Sequence, residues 1–146
     1  MLEVVGLSKK YGKTLAADQV SFVVPAGKVG ILLGPNGAGK STVIKSIAGL
    51  LRFSGKVLIQ GQDSRDLEAK RSFAYVPEIP YMYDALTVRE HMEFITRAYG
   101  VELDEDELKA LFERFELWDK QDKLGNELSK GMMQKVSICC ALIIRP

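Results

Sequence analysis

Gly34-Pro35-Asn36-Gly37-Ala38-Gly39-Lys40-Ser41-Thr42 is the stretch whose reading decides the fold of this 146-residue chain. It meets the pattern G-x-x-x-x-G-K-[ST] at every fixed position, and each fixed residue type has a chemical reason. Glycines let the backbone turn through positive φ, so that several amide N–H groups converge on one anion. Lys40 adds a mobile positive charge for outer phosphates, and the Ser41 hydroxyl is a candidate Mg²⁺ ligand. A helix opening directly after the loop turns its positive end to the same phosphates. At average composition such a match arises by chance in roughly one chain of this length in a few hundred.

The flanks agree with the loop. Residues 20–24 and 29–33 are short apolar, β-branched runs separated by Pro25-Ala26-Gly27, and they predict two strands, the second buried on both faces. Residues 41–51 place Val43, Ile44, Ile47, Ala48 and Leu51 at helical spacing. Residues 55–60 and 73–76 are further predicted strands, each bounded by glycine or proline. From Pro77 the pattern turns helical. Thr87-Val88-Arg89-Glu90 is a capping box, with Val88, His91, Met92, Ile95 and Ala98 on one stripe until Gly100 stops it. Residues 104–115 predict a second helix with Leu108, Leu111, Phe112 and Phe115 on its stripe, and acids in the first turn where the dipole favours them. Ser129 is the expected N-cap of a third, running to about Ile144.

Composition excludes several classes. A hydrophobic fraction of 47% and a charged fraction of 27% are those of an ordinary globular domain. The net charge of +1 gives no electrostatic reason to expect a nucleic-acid partner. The longest apolar run, residues 138–144, falls far short of the ~20 residues of a bilayer helix. Met1-Leu2-Glu3-Val4-Val5 lacks the basic start and apolar run of a secretory leader. Cys139 and Cys140 are adjacent in an apolar helical run, which suits buried free thiols and a cytoplasmic protein.

The loop and the segments around it resemble the ATP-binding subunit of ABC transporters over essentially the whole chain. The wording is most similar to the ATPases of ABC-2 or Ecs-type bacterial export systems. The resemblance implies an α/β fold: an incomplete RecA-like P-loop NTPase core with an ABC-type β-strand subdomain over residues 1–76, and a helical subdomain over 77–146. Leu7-Ser8-Lys9-Lys10-Tyr11-Gly12 is similar to the family segment whose aromatic stacks on adenine, a role that passes to Tyr11. Gly34, Pro35, Asn36, Gly37, Ala38, Gly39, Lys40, Ser41 and Thr42 take the phosphates of ATP. Tyr75-Val76-Pro77-Glu78 stands where the family has a loop ending in glutamine beside Mg²⁺ and the lytic water. Here that residue is Glu78, which can still ligate Mg²⁺ or hold water but adds negative charge near the γ-phosphate. Leu128-Ser129-Lys130-Gly131-Met132 resembles the signature Leu-Ser-Gly-Gly-Gln, whose serine and second glycine bind ATP held by the opposite subunit. Ser129 and Gly131 match, and Lys130 and Met132 depart, Lys130 adding positive charge. His91 reads as a helix-packing residue.

The resemblance further implies a nucleotide, a second copy of the ATPase and an integral membrane permease as partners, the last met through residues 81–99. It implies a location on the cytoplasmic face of the membrane, and the near-neutral charge argues against nucleic acid as a partner. In the family, an apolar strand ending in aspartate, the glutamate that polarises water and a switch histidine come after the signature. None has a counterpart up to Pro146. The expectation is therefore a fragment of a longer ATPase with an incomplete sheet, binding nucleotide without hydrolysing it. Competing readings are a non-transport ABC ATPase acting on ribosomes or DNA, a nonhydrolysing nucleotide-sensing regulator, and a small P-loop kinase, in which residues 128–132 would have no purpose.

Overall fold

A computed structural model describes all residues 1–146. They divide into two compact units, Met1–Ala74 and Tyr75–Pro146.

The first unit begins with a hairpin of β1 (Leu2–Tyr11) and β2 (Thr14–Val24). β3 (Ser54–Ile59) and the short β4 (Gln62–Asp63) complete a sheet of order β2-β1-β3-β4, antiparallel throughout. Alternation puts Val4, Ala17 and Val57 on one face, with Leu7 joining them after an irregularity that follows Val4. Gly6 lies in that irregularity at φ 58, and its amide donates to Ser21 Oγ at 2.8 Å. The bulge shifts the side-chain alternation of β1, which is why the sequence pattern does not announce this strand. Over the apolar face lies α1 (Lys40–Ile47), with Val43 buried against Val4, Leu7, Ala17 and Val57. Fully burying each such side chain stabilises by about 1.5–3 kcal/mol.

Three sequence expectations change over residues 1–76. The helix expected to Leu51 ends at Ile47, because Gly49 turns left-handed at φ 72. The Gly49 amide then reaches Ser46 O at 3.0 Å and the Leu50 amide reaches Lys45 O at 2.9 Å, the hydrogen-bond pair of a Schellman close. Residues 29–33 form no strand, because no segment of this chain pairs with them. Val29, Ile31 and Leu33 stand 91%, 77% and 84% exposed. Residues 73–76, also expected as a strand, are irregular for the same reason. After β4 the chain makes the single-turn α2 (Leu67–Arg71).

The second unit holds α3 (Val88–Tyr99), α4 (Glu105–Arg114) and α5 (Lys130–Ile143). Their ends follow the sequence. The Thr87 hydroxyl accepts the Glu90 amide at 3.2 Å while the Glu90 carboxylate accepts the Thr87 amide at 2.8 Å. This contact holds the Glu90 carboxyl below its ordinary pKa. Gly100 ends α3 at φ 70. The Asp104 carboxylate caps α4, accepting the Asp106 and Glu107 amides at 2.9 and 3.0 Å. The Ser129 hydroxyl caps α5, accepting the Met132 amide at 3.3 Å.

α3 and α4 each pack on α5, and Val88, Met92, Leu108, Phe112, Val136, Cys139 and Ile143 on these helices are buried. The stripe of α3 differs from expectation in one place. Ala98 is exposed and Thr96, four residues after Met92, is buried in its stead. Its hydroxyl is satisfied by donating to the Met92 and Glu93 carbonyls at 3.0 Å, which lets a polar residue sit there. Cys139 and Cys140 are free, and burial pushes both thiols up to about 12.

Phe112 is fully buried and the largest such side chain, so Phe112→Ala should cost about 3–5 kcal/mol. Trp118, the single tryptophan, belongs to the same unit and reports its unfolding. A urea midpoint by Trp118 fluorescence that did not fall would contradict this core.

Candidate functional site

In the first unit, positive φ recurs along the glycine loop: Gly34 at 156, Gly37 at 84 and Gly39 at 83. The Ala38 amide closes a turn on Pro35 O at 3.2 Å. The loop then runs into α1 with Gly39 as a left-handed N-cap that has no side chain to offer the helix. The first turn holds no acidic residue. The first amides of a helix have no partner within it, so here Lys40, Ser41 and Thr42 present uncommitted donors at a positive helix end. Ser41 is exposed and Thr42 half-buried. Lys40 folds back over the loop, its Nζ donating to Gly34 O and Pro35 O at 2.7 Å each. The ammonium is thus held where the loop backbone turns, within reach of anything the amides bind.

One contact that fixes this loop escapes the sequence. A Cβ built on Gly39 would fall 2.0 Å from the carbonyl oxygen of Ala16 on β2. Residue 39 must therefore be glycine for steric reasons as well as for its φ. Nothing in the local pattern marks Ala16, since its part is played by the backbone.

Tyr11 ends β1 in the same unit, exposed and paired with Thr14 across the hairpin. Lys9 Nζ lies 4.9 Å from its ring centroid, a cation–π contact on the strand surface.

In the second unit, Glu78 is exposed on an irregular segment. The carbonyl of the preceding Pro77 accepts Gln134 Nε2 of α5 at 3.3 Å. This ties the Glu78 segment to the helix that Ser129, Lys130 and Gly131 open. Gln134 carries no sequence signal of its own, since an amide on a helix is ordinary. Lys130 and Gly131 are exposed. Gly131 is unlike Gly39: its φ is not positive, and the nearest atom to an added Cβ is Ser129 Oγ at 4.0 Å. The fold itself makes no demand for glycine there.

No group of three or more His, Cys, Asp and Glu side chains converges as a metal centre. No helix is long and apolar enough to cross a membrane.

A glycine-rich phosphate loop opening a helix beside a β-sheet defines a P-loop nucleotide-binding protein. The comparisons with known proteins give the family. A family model described as ABC transporter matches residues 17–146, and the chain belongs to that family. The SkfA peptide export ATP-binding protein SkfE of Bacillus subtilis is 34% identical over 146 residues, covering 98% of this chain and 61% of the relative. The ABC-type transporter ATP-binding protein EcsA of the same organism is 37% identical over 151 aligned positions, covering 100% of this chain and 61% of the relative. A solved ATP-binding subunit of an ABC transporter superposes with a TM-score of 0.88 at 40% identity, over 99% of this chain and 62% of that one. This chain thus spans about three-fifths of the length of these relatives.

The two glycines separate under substitution. Gly39→Ala should displace the loop, because the Ala16 carbonyl and the left-handed φ both exclude a methyl group. Gly131→Ala has room and removes a poor helix former, so it should raise the stability of α5 by up to about 1 kcal/mol. Thermal unfolding followed at Trp118 tests the second; a lower midpoint for Gly131→Ala would show that the fold does need this glycine.

Proposed function

We propose that this chain is the ATP-binding part of an ABC transporter ATPase, which couples ATP binding and hydrolysis in the whole protein to movement of a substrate across a membrane. The observation that carries the reading is the phosphate loop: glycines at positive φ, a helix start with uncommitted amides, and a lysine held over them. This donor set fits a polyphosphate, since it offers many N–H groups and no carboxylate in the first turn to repel an anion. Residues 34–42 bind the phosphates, with Lys40 exchanging its bonds to the Gly34 and Pro35 carbonyls for phosphate oxygens. Tyr11 stacks on the adenine.

Mg²⁺, when bound, would neutralise charge developing on the outer phosphates. The oxygen donors assigned to it are the Ser41 hydroxyl and the Glu78 carboxylate, both exposed and of the hard type that Mg²⁺ takes. Glu78 also holds water by accepting its hydrogen bonds.

Ser129, Lys130 and Gly131 are assigned to the γ-phosphate of ATP on a second copy of the ATPase. Supporting this, Ser129 opens a helix with a positive end, Lys130 adds charge, and Gly131 keeps a space open that the fold does not require. ATP then brings two copies together, and hydrolysis releases them. The membrane permease is met through residues 81–99, with the protein on the cytoplasmic face. The relative SkfE is named for peptide export, and export is the direction we assign.

Lys40→Ala removes the one mobile cation of the loop. It should raise the dissociation constant for Mg-ATP at least about tenfold, a loss of about 1.4 kcal/mol or more. Isothermal titration of the wild-type and variant chains measures this, and an unchanged constant would overturn the loop assignment.

A further inference from the structure

His91 is the only histidine in the chain, and it sits on α3, 4% exposed. The Tyr83 amide donates to its Nε2 at 2.8 Å. That nitrogen must then carry a lone pair, so the ring proton is on Nδ1, which faces the Thr87 carbonyl at 3.4 Å. The Tyr83 ring stacks on the imidazole with centroids 5.6 Å apart and the planes inclined by 28°. Tyr83 also meets the rings of Tyr81 and Phe94 edge-on, at 5.7 and 5.4 Å. Ile79, Tyr81, Tyr83 and Phe94 are all exposed, an aromatic and apolar surface built around one histidine.

On its other side the segment bearing Tyr83 is held by the buried Met82 and by backbone contacts around Gly125. A Cβ on Gly125 would fall 2.8 Å from Met82 Cβ, and the Gly125 amide reaches Leu86 O at 3.2 Å. The one side-chain hydrogen bond to the segment is the one His91 accepts.

We propose that His91 is a pH-sensitive latch: its neutral imidazole fixes Tyr83 and the aromatic surface around it, and protonation of Nε2 releases them. Once Nε2 carries a proton, two donors face each other across 2.8 Å with no acceptor between them. The part-buried Tyr83 amide is then left without its acceptor, which favours movement of Tyr83 and its ring away from Nε2.

The groups around His91 leave the switch to the imidazole itself. On its own helix, Glu90 is the neighbouring charge, and its carboxylate is committed to the Thr87 amide. From the loop, Tyr83 presents its ring and amide, while Asp84 is exposed and makes no ion pair. From α5, Cys140 Sγ lies 3.5 Å from Met92 Sδ, and that thiol stays neutral. From the turn beside Gly125, the Glu127 carboxylate is taken by the Leu124 amide at 2.7 Å. Burial lowers the His91 pKa below its ordinary 6.5, partly opposed by the Thr87 carbonyl and by Glu90. For a depressed histidine the stabilisation is present above the unfolded value and is lost as pH falls through the folded one.

The test is an NMR titration of the ¹⁵N-labelled chain from about pH 7.5 to about pH 5, in which the single histidine needs no assignment. The expected result is the Nδ1–H tautomer at neutral pH and a midpoint below 6.5. The Tyr83 amide should shift and lose exchange protection with that same midpoint, while the Leu108 and Phe112 amides stay protected. In His91→Gln the Tyr83 amide should become indifferent to pH over this range. An Nε2–H tautomer overturns the latch, as does a Tyr83 amide that stays protected while His91 titrates. The same Tyr83 midpoint persisting in His91→Gln also overturns it. Should that variant not fold, the wild-type titration decides alone.

Discussion

Where the phosphate loop joins its helix, the backbone of residue 39 lies so close to β2 that no side chain fits between them. The Ala16 carbonyl occupies the place a Cβ would take, 2.0 Å away. This approach fixes where α1 begins relative to the hairpin. One turn later Val43 arrives over Val4, Leu7, Ala17 and Val57. The same contact sets the direction in which the first amides of α1 point, because a helix start orients its free donors as a group. Core packing and the direction of the loop's free amides in this unit are therefore two consequences of one backbone contact. A change that relieved it would be felt both as lost burial and as a misdirected loop.

The second unit has no comparable contact at its site and relies on capping instead. Thr87, Asp104 and Ser129 each satisfy amides that would otherwise be orphaned, at about 1 kcal/mol apiece. Ser129 is drawn two ways. Its oxygen accepts the Met132 amide at the long distance of 3.3 Å, and it is also the atom assigned to an incoming phosphate. A weakly held cap suits that double use, since exchanging the amide for a stronger charged partner costs little.

The three helices of this second unit were legible because their caps are written in side chains: a capping box, an aspartate and a serine, with glycine at position 100. α1 began where the loop put it but ran shorter than its apolar spacing, because Gly49 could close it and the periodicity of residues 50 and 51 carried no such information. β1 stayed hidden, since the bulge at Gly6 breaks the alternation by which strands are recognised. Residues 29–33 show the opposite failure. An apolar β-branched run states that a segment is suited to burial on both faces; it does not state which residues supply the neighbours. In this chain none does, and Val29, Ile31, Leu32 and Leu33 are all exposed. At the site, the glycine pattern was readable because φ is a local property. The Ala16 carbonyl and the Gln134 bond to Pro77 are tertiary and leave no local trace.

Glycines that the fold requires can be told from one that it does not. Gly39, Gly55 and Gly125 each sit where an added Cβ would meet another atom at 2.8 Å or less, twice a backbone oxygen and once the Met82 Cβ. Their identity is explained inside the chain. Gly131 has ordinary helical backbone and open space around it, in a position where glycine weakens the helix. No contact within the chain accounts for glycine there, which is consistent with the proposed approach of a ligand to Ser129. That the fold demands glycine at 39 and tolerates an alternative at 131 is the physical reason to look for a ligand at both places on different grounds. At the first the backbone itself demands glycine; at the second nothing inside the chain does.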